Sequence, residues 1–427
     1  FAATEPVDKE LWYKAPITPM DDLHGNLRGI IEHMDDIQNL GIDVLYMTPI
    51  FQSNSCHKYD TTDYYQIDPS FGTTEDLKEL VQKAHERGMK VVLDAVYNHT
   101  GREFFAFADI LENGEKSKYR DWYFIDGFPL KSEWGEIPNF KCFGYYGGMP
   151  KLNLKNPEVE KYITDVACYW IKECDIDGWR LDVGDEISHF FWKNFRKAVK
   201  AVKKDMLIIG EIWHYAGDFL EGDEWDTVMN YPFYLNLIDL LADEKITVSQ
   251  FVQNLGYLKG RLHKNCYPLM WNLIDSHDTA RFLHLCNDNK KKQHLAAAFQ
   301  LLLPGMPMIY YGDEYAMPGA NDPDCRRGMY WDEEYQDKEM YEWYKRLIQV
   351  RKSHACIVEG ELAGSVTEDE EGTVVLIRKN GEETIAMIFN CSSSAKKFNE
   401  YTQKYNLLTE NTFDGNVEGF DAAVIVL

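Results

Sequence analysis

The sequence predicts an α/β protein: a barrel of parallel strands with helices between them, a small inserted domain, and an all-β domain at the C-terminal end. Three features carry this. Short β-branched runs alternate with amphipathic stretches through most of the chain, which is the signature of repeated βα units around a parallel sheet. From Gly101 to Pro150 the alternation gives way to an aromatic, glycine-rich stretch ("FGYYGGMP") too long for an ordinary βα loop. After about Ser353 the apolar period drops to two. The chain therefore divides into barrel residues 1–100 and 152–352, an insertion at 101–151, and a C-terminal β-sandwich at 353–427.

Taken in order, strands are expected at 44–48, 91–97, 178–183, 207–213, 227–230, 269–275 and 308–311. Helices are expected at 27–40, 74–87 with Gly88 as the stop signal, 157–172, 188–203 and 295–303. In the C-terminal part, "TVVLIRKNGEETIAMIFN" reads as two strands joined around Asn380-Gly381, a hairpin signal, and the chain closes on "AAVIVL".

Composition narrows the function. With 45% hydrophobic and 27% charged residues, and no apolar run near the roughly 18 residues that span a bilayer, nothing suggests a membrane segment. A net charge of -25 without any concentrated Lys/Arg patch argues against nucleic acid and suits a neutral substrate. The nine cysteines include no CxxC pair, and an odd count leaves at least one unpaired, which points to reduced thiols and a cytoplasmic setting.

One stretch, "DGWRLDVGDE" (Asp177 to Glu186), holds the functional question. Strand alternation puts Trp179, Leu181 and Val183 on one face and Arg180 with Asp182 on the other. Both faces of a parallel sheet are buried, and a buried charge costs several kcal/mol unless it is paired. Polar residues also stand at or just past the ends of other strands: Asp94, Asn98 and His99; Glu211; Asp275, His277 and Asp278. Any one of them reads equally well as a structural ion pair or cap. Four strands converging on the C-terminal rim of a barrel, where such folds build their sites, point to one pocket.

The chemistry that needs this set is glycoside cleavage, in which one carboxylate attacks the sugar carbon and a second carboxylic acid protonates the leaving oxygen. Asp182 suits the nucleophile, because Arg180 beside it favours the ionised form. Glu211, set in "IIGEIW" among isoleucines and Trp213, suits the acid, since desolvation should raise its pKa. Asp278 is a third carboxylate for stabilising positive charge on the ring, and His99 and His277 are expected to donate hydrogen bonds to the same sugar. A retaining mechanism sets the carboxyls of Asp182 and Glu211 about 5 to 5.5 Å apart.

The motifs "DAVYNHT", "GWRLDVGDE", "GEIW" and "NLIDSHDT", in that order, make the chain resemble the α-amylase superfamily of retaining glycosidases (glycoside hydrolase family 13) over nearly its full length. "MPKLN" (Met149 to Asn153), "CHKYDTTDYYQIDPSFG" and "NDPDCRRGMYWDE" are similar to its neopullulanase, cyclomaltodextrinase and maltogenic amylase branch. The resemblance implies a (β/α)8 TIM barrel with the insertion after its third strand. It implies Asp182 as nucleophile, Glu211 as acid/base and Asp278 as transition-state stabiliser. It implies Arg180, His99 and His277 as sugar contacts, Tyr59 as a stacking platform, and Asp322 with Arg326 (or Arg327) as further contacts. His57 and Trp213 are candidate substrate contacts that read as readily as packing residues.

The family's first barrel strand, of the form "YQIFPERF", has no counterpart here, and "FAATEPV" is similar to the residues that follow it. That strand is thus expected to be missing. The branch's N-terminal domain, on which its dimers lean, has no counterpart either, so a monomer is expected. No cofactor is required; calcium is conceivable as a structural ion, but no contiguous loop has its ligand spacing and no metal residues are assigned. The expected substrates are starch-derived oligosaccharides, cyclodextrins or pullulan, cut at α-1,4 bonds. Two other readings fit the same residues: a 4-α-glucanotransferase or a sucrose/maltose-type isomerase, and an inactive sugar-binding relative. The last is disfavoured because all three carboxylates are present.

Overall fold

The computed structural model describes the whole chain except residues 6, 14–16, 20, 22, 132–134 and 136. The last four belong to the expected insertion and lie outside the described residues. The chain packs as two compact units, one of Phe1–Val7, Pro19–Ile212 and Asp218–Val228, the other of Asp8–Thr18, Trp213–Gly217 and Met229–Leu427.

The first unit is built on five parallel strands in the order Val44–Met47, Lys90–Ala95, Gly178–Leu181, Leu207–Gly210 and Thr227–Val228. The middle three are buried almost throughout, which is why they read as continuous apolar runs. Asp94 pairs with Arg180, and Arg180 with Ile209. The ladder continues past the strand ends: Asp182 N–H donates to the Ala95 carbonyl (3.1 Å) and Glu211 N–H to that of Leu181 (3.0 Å). This register brings Asp94, Asp182 and Glu211 to the same edge of the sheet.

Helices pack beside these strands with the stops and starts their sequences announce. Thr73 and Asp76 form a capping box for Thr74–Glu86, Asn156 caps Pro157–Cys174, and Ser188 caps His189–Val202 rather than joining it. The helix expected over 27–40 is two, Leu27–Glu32 and Met34–Leu40, separated at His33.

In the second unit, Trp271–Asn272 pairs in parallel with Met306–Pro307, and Met229 bridges to Trp271. The strand expected at 308–311 is therefore two residues early and short. Met306 and Met308 donate to the Met270 and Asn272 carbonyls, whereas Pro307 has no N–H to give, and the aromatic run that mimicked a strand turns instead toward Arg281, 4.4 Å from the Tyr310 ring. The helix Lys290–Leu302 starts earlier than its apolar pattern, because Asn289 caps a polar first turn of lysines.

The C-terminal part is an antiparallel sheet in the order Glu361–Glu368, Thr373–Asn380, Glu383–Asn390, Asp421–Val426, Tyr405–Asn406 and Asn411–Thr412. Asn380 pairs with Glu383, so the hairpin loop is Gly381-Glu382, with Gly381 at φ +59. Ile388, Val417 and Ile425 are among the residues of its core. No described helix is long and apolar enough to cross a membrane.

Candidate active site

In the first unit the site is organised by one guanidinium. Arg180 is fully buried; its Nη1 bonds Asp94 (2.9 and 3.1 Å) and Asp182 Oδ1 (2.9 Å), while Nη2 lies 3.0 Å from Glu211 Oε2. Burial opposes its charge, but Asp94 and Glu211 outweigh that and hold it well above the ordinary arginine range. Asp182 and Glu211 thus approach the two ends of one planar fork, one by a hydrogen bond and the other by an ion pair. The cost of the buried charges identified in the sequence is met by mutual pairing.

The strand stops at Leu181, not at Val183 as its pattern suggests. Val183 sits in the left-handed region (φ +47, ψ 42), a true outlier for a β-branched residue. The turn aims its N–H at Glu211 Oε2 (2.9 Å). Strain of order 1 kcal/mol or more is thereby stored between the two carboxylates. Glu211 is consequently not in the purely apolar setting that its flanking isoleucines suggested: it accepts from Val183 N–H and lies in an ion pair with Arg180. Just before it, a Cβ on Gly210 would lie 2.2 Å from the Trp225 ring, so glycine is required for that tryptophan to pack there.

Tyr59 is fixed at both ends. Its hydroxyl donates to Asp94 Oδ2 (3.1 Å), as does that of Tyr46 (2.7 Å), and its carbonyl accepts from His99 Nε2 (3.0 Å). His57 Nδ1 accepts from the Tyr59 N–H (3.0 Å), and the two rings stack at 6.0 Å. His99 is 1% exposed, and burial lowers its pKa to about 4, so the imidazole is neutral. With Nε2 on Tyr59 and Nδ1 facing the Asn98 amide at 3.3 Å, both ring nitrogens are engaged within the protein. The donor expected to meet a sugar is here committed to holding Tyr59.

In the second unit, His277 Nε2 lies 3.1 Å from Asp278 Oδ2. Arg326 donates through Nε to the His277 carbonyl (2.8 Å), and its Nη1 and Nη2 lie 3.1 Å from Asp322 and 3.5 Å from Asp278. Arg327 turns away to Asp324 (2.6 Å), which decides between the two arginines as the neighbour of Asp278. Trp213 is 41% exposed and stacks on Tyr231 at 3.8 Å.

The structure thus gathers Arg180, Asp182 and Glu211 with Tyr59, His57 and His99 in one unit, and His277, Asp278, Asp322 and Arg326 in the other. Sequence reasoning missed Tyr46, whose signal was a lone hydroxyl in an otherwise apolar strand, and Val183, which carried no signal. Among the described residues no group of three or more His, Cys, Asp or Glu side chains is arranged to hold a metal ion.

A parallel sheet with carboxylates set at neighbouring strand ends defines the class, and the chain belongs to the α-amylase family: residues 8–360 match the alpha amylase catalytic domain. More particularly, it is similar to a cyclomaltodextrinase of Geobacillus thermopakistaniensis, 47% identical over 92% of this chain and 66% of that one, and to neopullulanase 2 of Thermoactinomyces vulgaris, 42% identical over 91% and 66%. The chain thus spans about two thirds of the length of these curated relatives. Among solved structures, a cyclomaltodextrinase superposes with a TM-score of 0.94 at 38% identity, covering 99% of this chain and 76% of that one. The ligand-free cyclic α-maltosyl-(1→6)-maltose hydrolase of Arthrobacter globiformis gives 0.91 at 34% identity, covering 100% and 96%. The fold is of the TIM-barrel type of these relatives, with parallel strands followed by an antiparallel all-β sheet.

Proposed function

We propose that the protein is a retaining glycoside hydrolase that cleaves α-1,4-glucosidic bonds of cyclodextrins, pullulan or starch-derived oligosaccharides. The observation that supports this best is the sharing of Arg180 by Asp182 and Glu211. Asp182, kept anionic by Arg180, attacks the anomeric carbon as Glu211 passes its proton to the leaving oxygen; water, deprotonated by Glu211, then releases the sugar from Asp182. Tyr59 offers its ring to that sugar. Names among the relatives, cyclomaltodextrinase and neopullulanase, support cyclodextrins and pullulan as substrates. Nine free thiols suit a reducing cytoplasm.

Asp182→Asn tests the reading. Turnover of β-cyclodextrin should fall roughly 10⁴-fold or more while calorimetry still detects sugar binding. Substantial residual activity in that variant rules the nucleophile out. Chromatography of starch, pullulan and cyclodextrin digests ranks the substrates, and with maltotriose the appearance of products longer than the substrate would move the assignment to a glucanotransferase.

A further inference from the structure

The loop from Cys142 to Pro150 ends in an aromatic tip that the mechanism leaves unused. Tyr145 is 89% exposed and Tyr146 48%. The tip is nonetheless well ordered by its own backbone: Cys142 bridges Pro150, Phe143 N–H donates to Met149, Tyr146 N–H to Phe143 and Met149 N–H to Tyr146. Tyr145 is held at φ +58, after Gly144 at +56. A tyrosine is kept in that region only where its surroundings dictate it, and such strain gathers at ligand-holding loops. Tyr146 is aimed as well, since a Cβ on Gly148 would lie 2.4 Å from its ring.

The root of the loop joins the site described above. Phe143 stacks on His99 (5.2 Å, 19°), whose Nε2 holds the Tyr59 carbonyl. The segment "FGYYGGM" carries no charge in a chain of net charge -25, so it suits a neutral ligand. Tyrosine presents an apolar face and a polar hydroxyl, and a glucosyl ring is complementary to it, with a C–H face and a rim of hydroxyls.

We propose that Tyr145 and Tyr146 form a second stacking platform, which binds a glucosyl unit of the α-glucan beyond the one placed at Tyr59. This rests on the proposed function, and its test separates the two. Wild type, Tyr145→Ala, Tyr145→Phe and Gly148→Ala are compared on maltohexaose and maltotriose. For Tyr145→Ala, KM for maltohexaose should rise roughly three- to tenfold with kcat unchanged, while both constants for maltotriose stay at wild-type values, which also reports a correctly folded variant. Tyr145→Phe should behave as wild type, and Gly148→Ala should raise KM less than Tyr145→Ala. An unchanged maltohexaose KM in Tyr145→Ala overturns the platform and leaves the hydrolase reading intact. If the wild type cleaves neither sugar, the hydrolase reading fails, and calorimetry with maltohexaose decides the platform alone: equal affinity of wild type and Tyr145→Ala, or no binding by either, overturns it.

Discussion

Among the described residues each unit buries one arginine completely, and the two are used differently. Arg180 meets three carboxylates at the open end of its sheet, and two of them, Asp182 and Glu211, retain slight exposure. Arg281 lies under the Tyr310 ring, bonds Asp313 (3.1 Å) and the Cys325 carbonyl (3.1 Å), and faces a pair, Asp275 and Asp313, that is sealed from solvent. Burial, together with the charge of Asp275, pushes Asp313 well above the carboxylate range. Asp275 Oδ1 and Asp313 Oδ2 are buried without a hydrogen-bond partner, and burial raises the pKa of both carboxyls. The comparison shows what sealing adds: Asp182 and Glu211 share a cation at a slightly open sheet end, whereas full burial and the charge of Asp275 push Asp313 toward its neutral form.

The sharpest test removes each arginine. Arg180→Leu leaves Asp94, Asp182 and Glu211 facing one another without a cation, so activity should fall by roughly three orders of magnitude and stability by about 3–5 kcal/mol. Arg281→Leu should cost a similar amount of stability, yet leave kcat within an order of magnitude, since none of its contacts is a proposed reacting group. Urea unfolding paired with steady-state kinetics checks both. Equal loss of kcat in the two variants breaks the distinction.

pH should separate the units by direction. Burial pushes Glu314 from its ordinary value of 4.5 up to about 7, so the stability it contributes is full below pH 4.5, is lost as pH rises toward 7, and is flat above. His99 is shifted the other way, from 6.5 to about 4, so its contribution is full above pH 6.5 and is lost as pH falls through 4. Each shift corresponds to about 3 kcal/mol. Glu314→Gln should therefore flatten the fall in Tm between pH 5 and 7, and His99→Gln should flatten the fall between pH 6 and 4. A Glu314→Gln variant whose Tm declines as steeply as wild type over pH 5 to 7 removes the contrast.

What sequence could reveal follows the same physics. The strands of the first unit were legible because strands buried on both faces are apolar throughout, and the charges at their ends stood out against that background. Val183 was illegible: a β-branched residue argues against positive φ, and only the tertiary pull of Glu211 on its N–H explains it. Tyr46 acts through cross-strand register, which places it opposite Val92 and within reach of Asp94, and no local pattern encodes that. Arg326 and Arg327 are neighbours of one chemistry, and only the short helical turn Asp324–Arg326 sends them to different carboxylates. Strand 306–307 hid behind Pro307, while "MIYY" borrowed the look of a strand for a cation–π shelf.

The finest test exchanges a single oxygen in each cluster. If Asp313 already carries a proton, Asp313→Asn replaces a neutral acid with a neutral amide of the same shape, and stability should change by no more than about 1 kcal/mol. Asp94 is different: it accepts hydrogen bonds from Tyr46, Tyr59 and the guanidinium of Arg180. Asp94→Asn turns one acceptor into a donor facing a cation, which should cost about 2 kcal/mol, the loss expected for a hydrogen bond to a charged group. It should also loosen Tyr59, raising KM more than it lowers kcat. The two variants measured side by side by urea unfolding decide the matter. A larger loss at Asp313 than at Asp94 means that the sealed pair is ionised after all, with Arg281 carrying the charge alone.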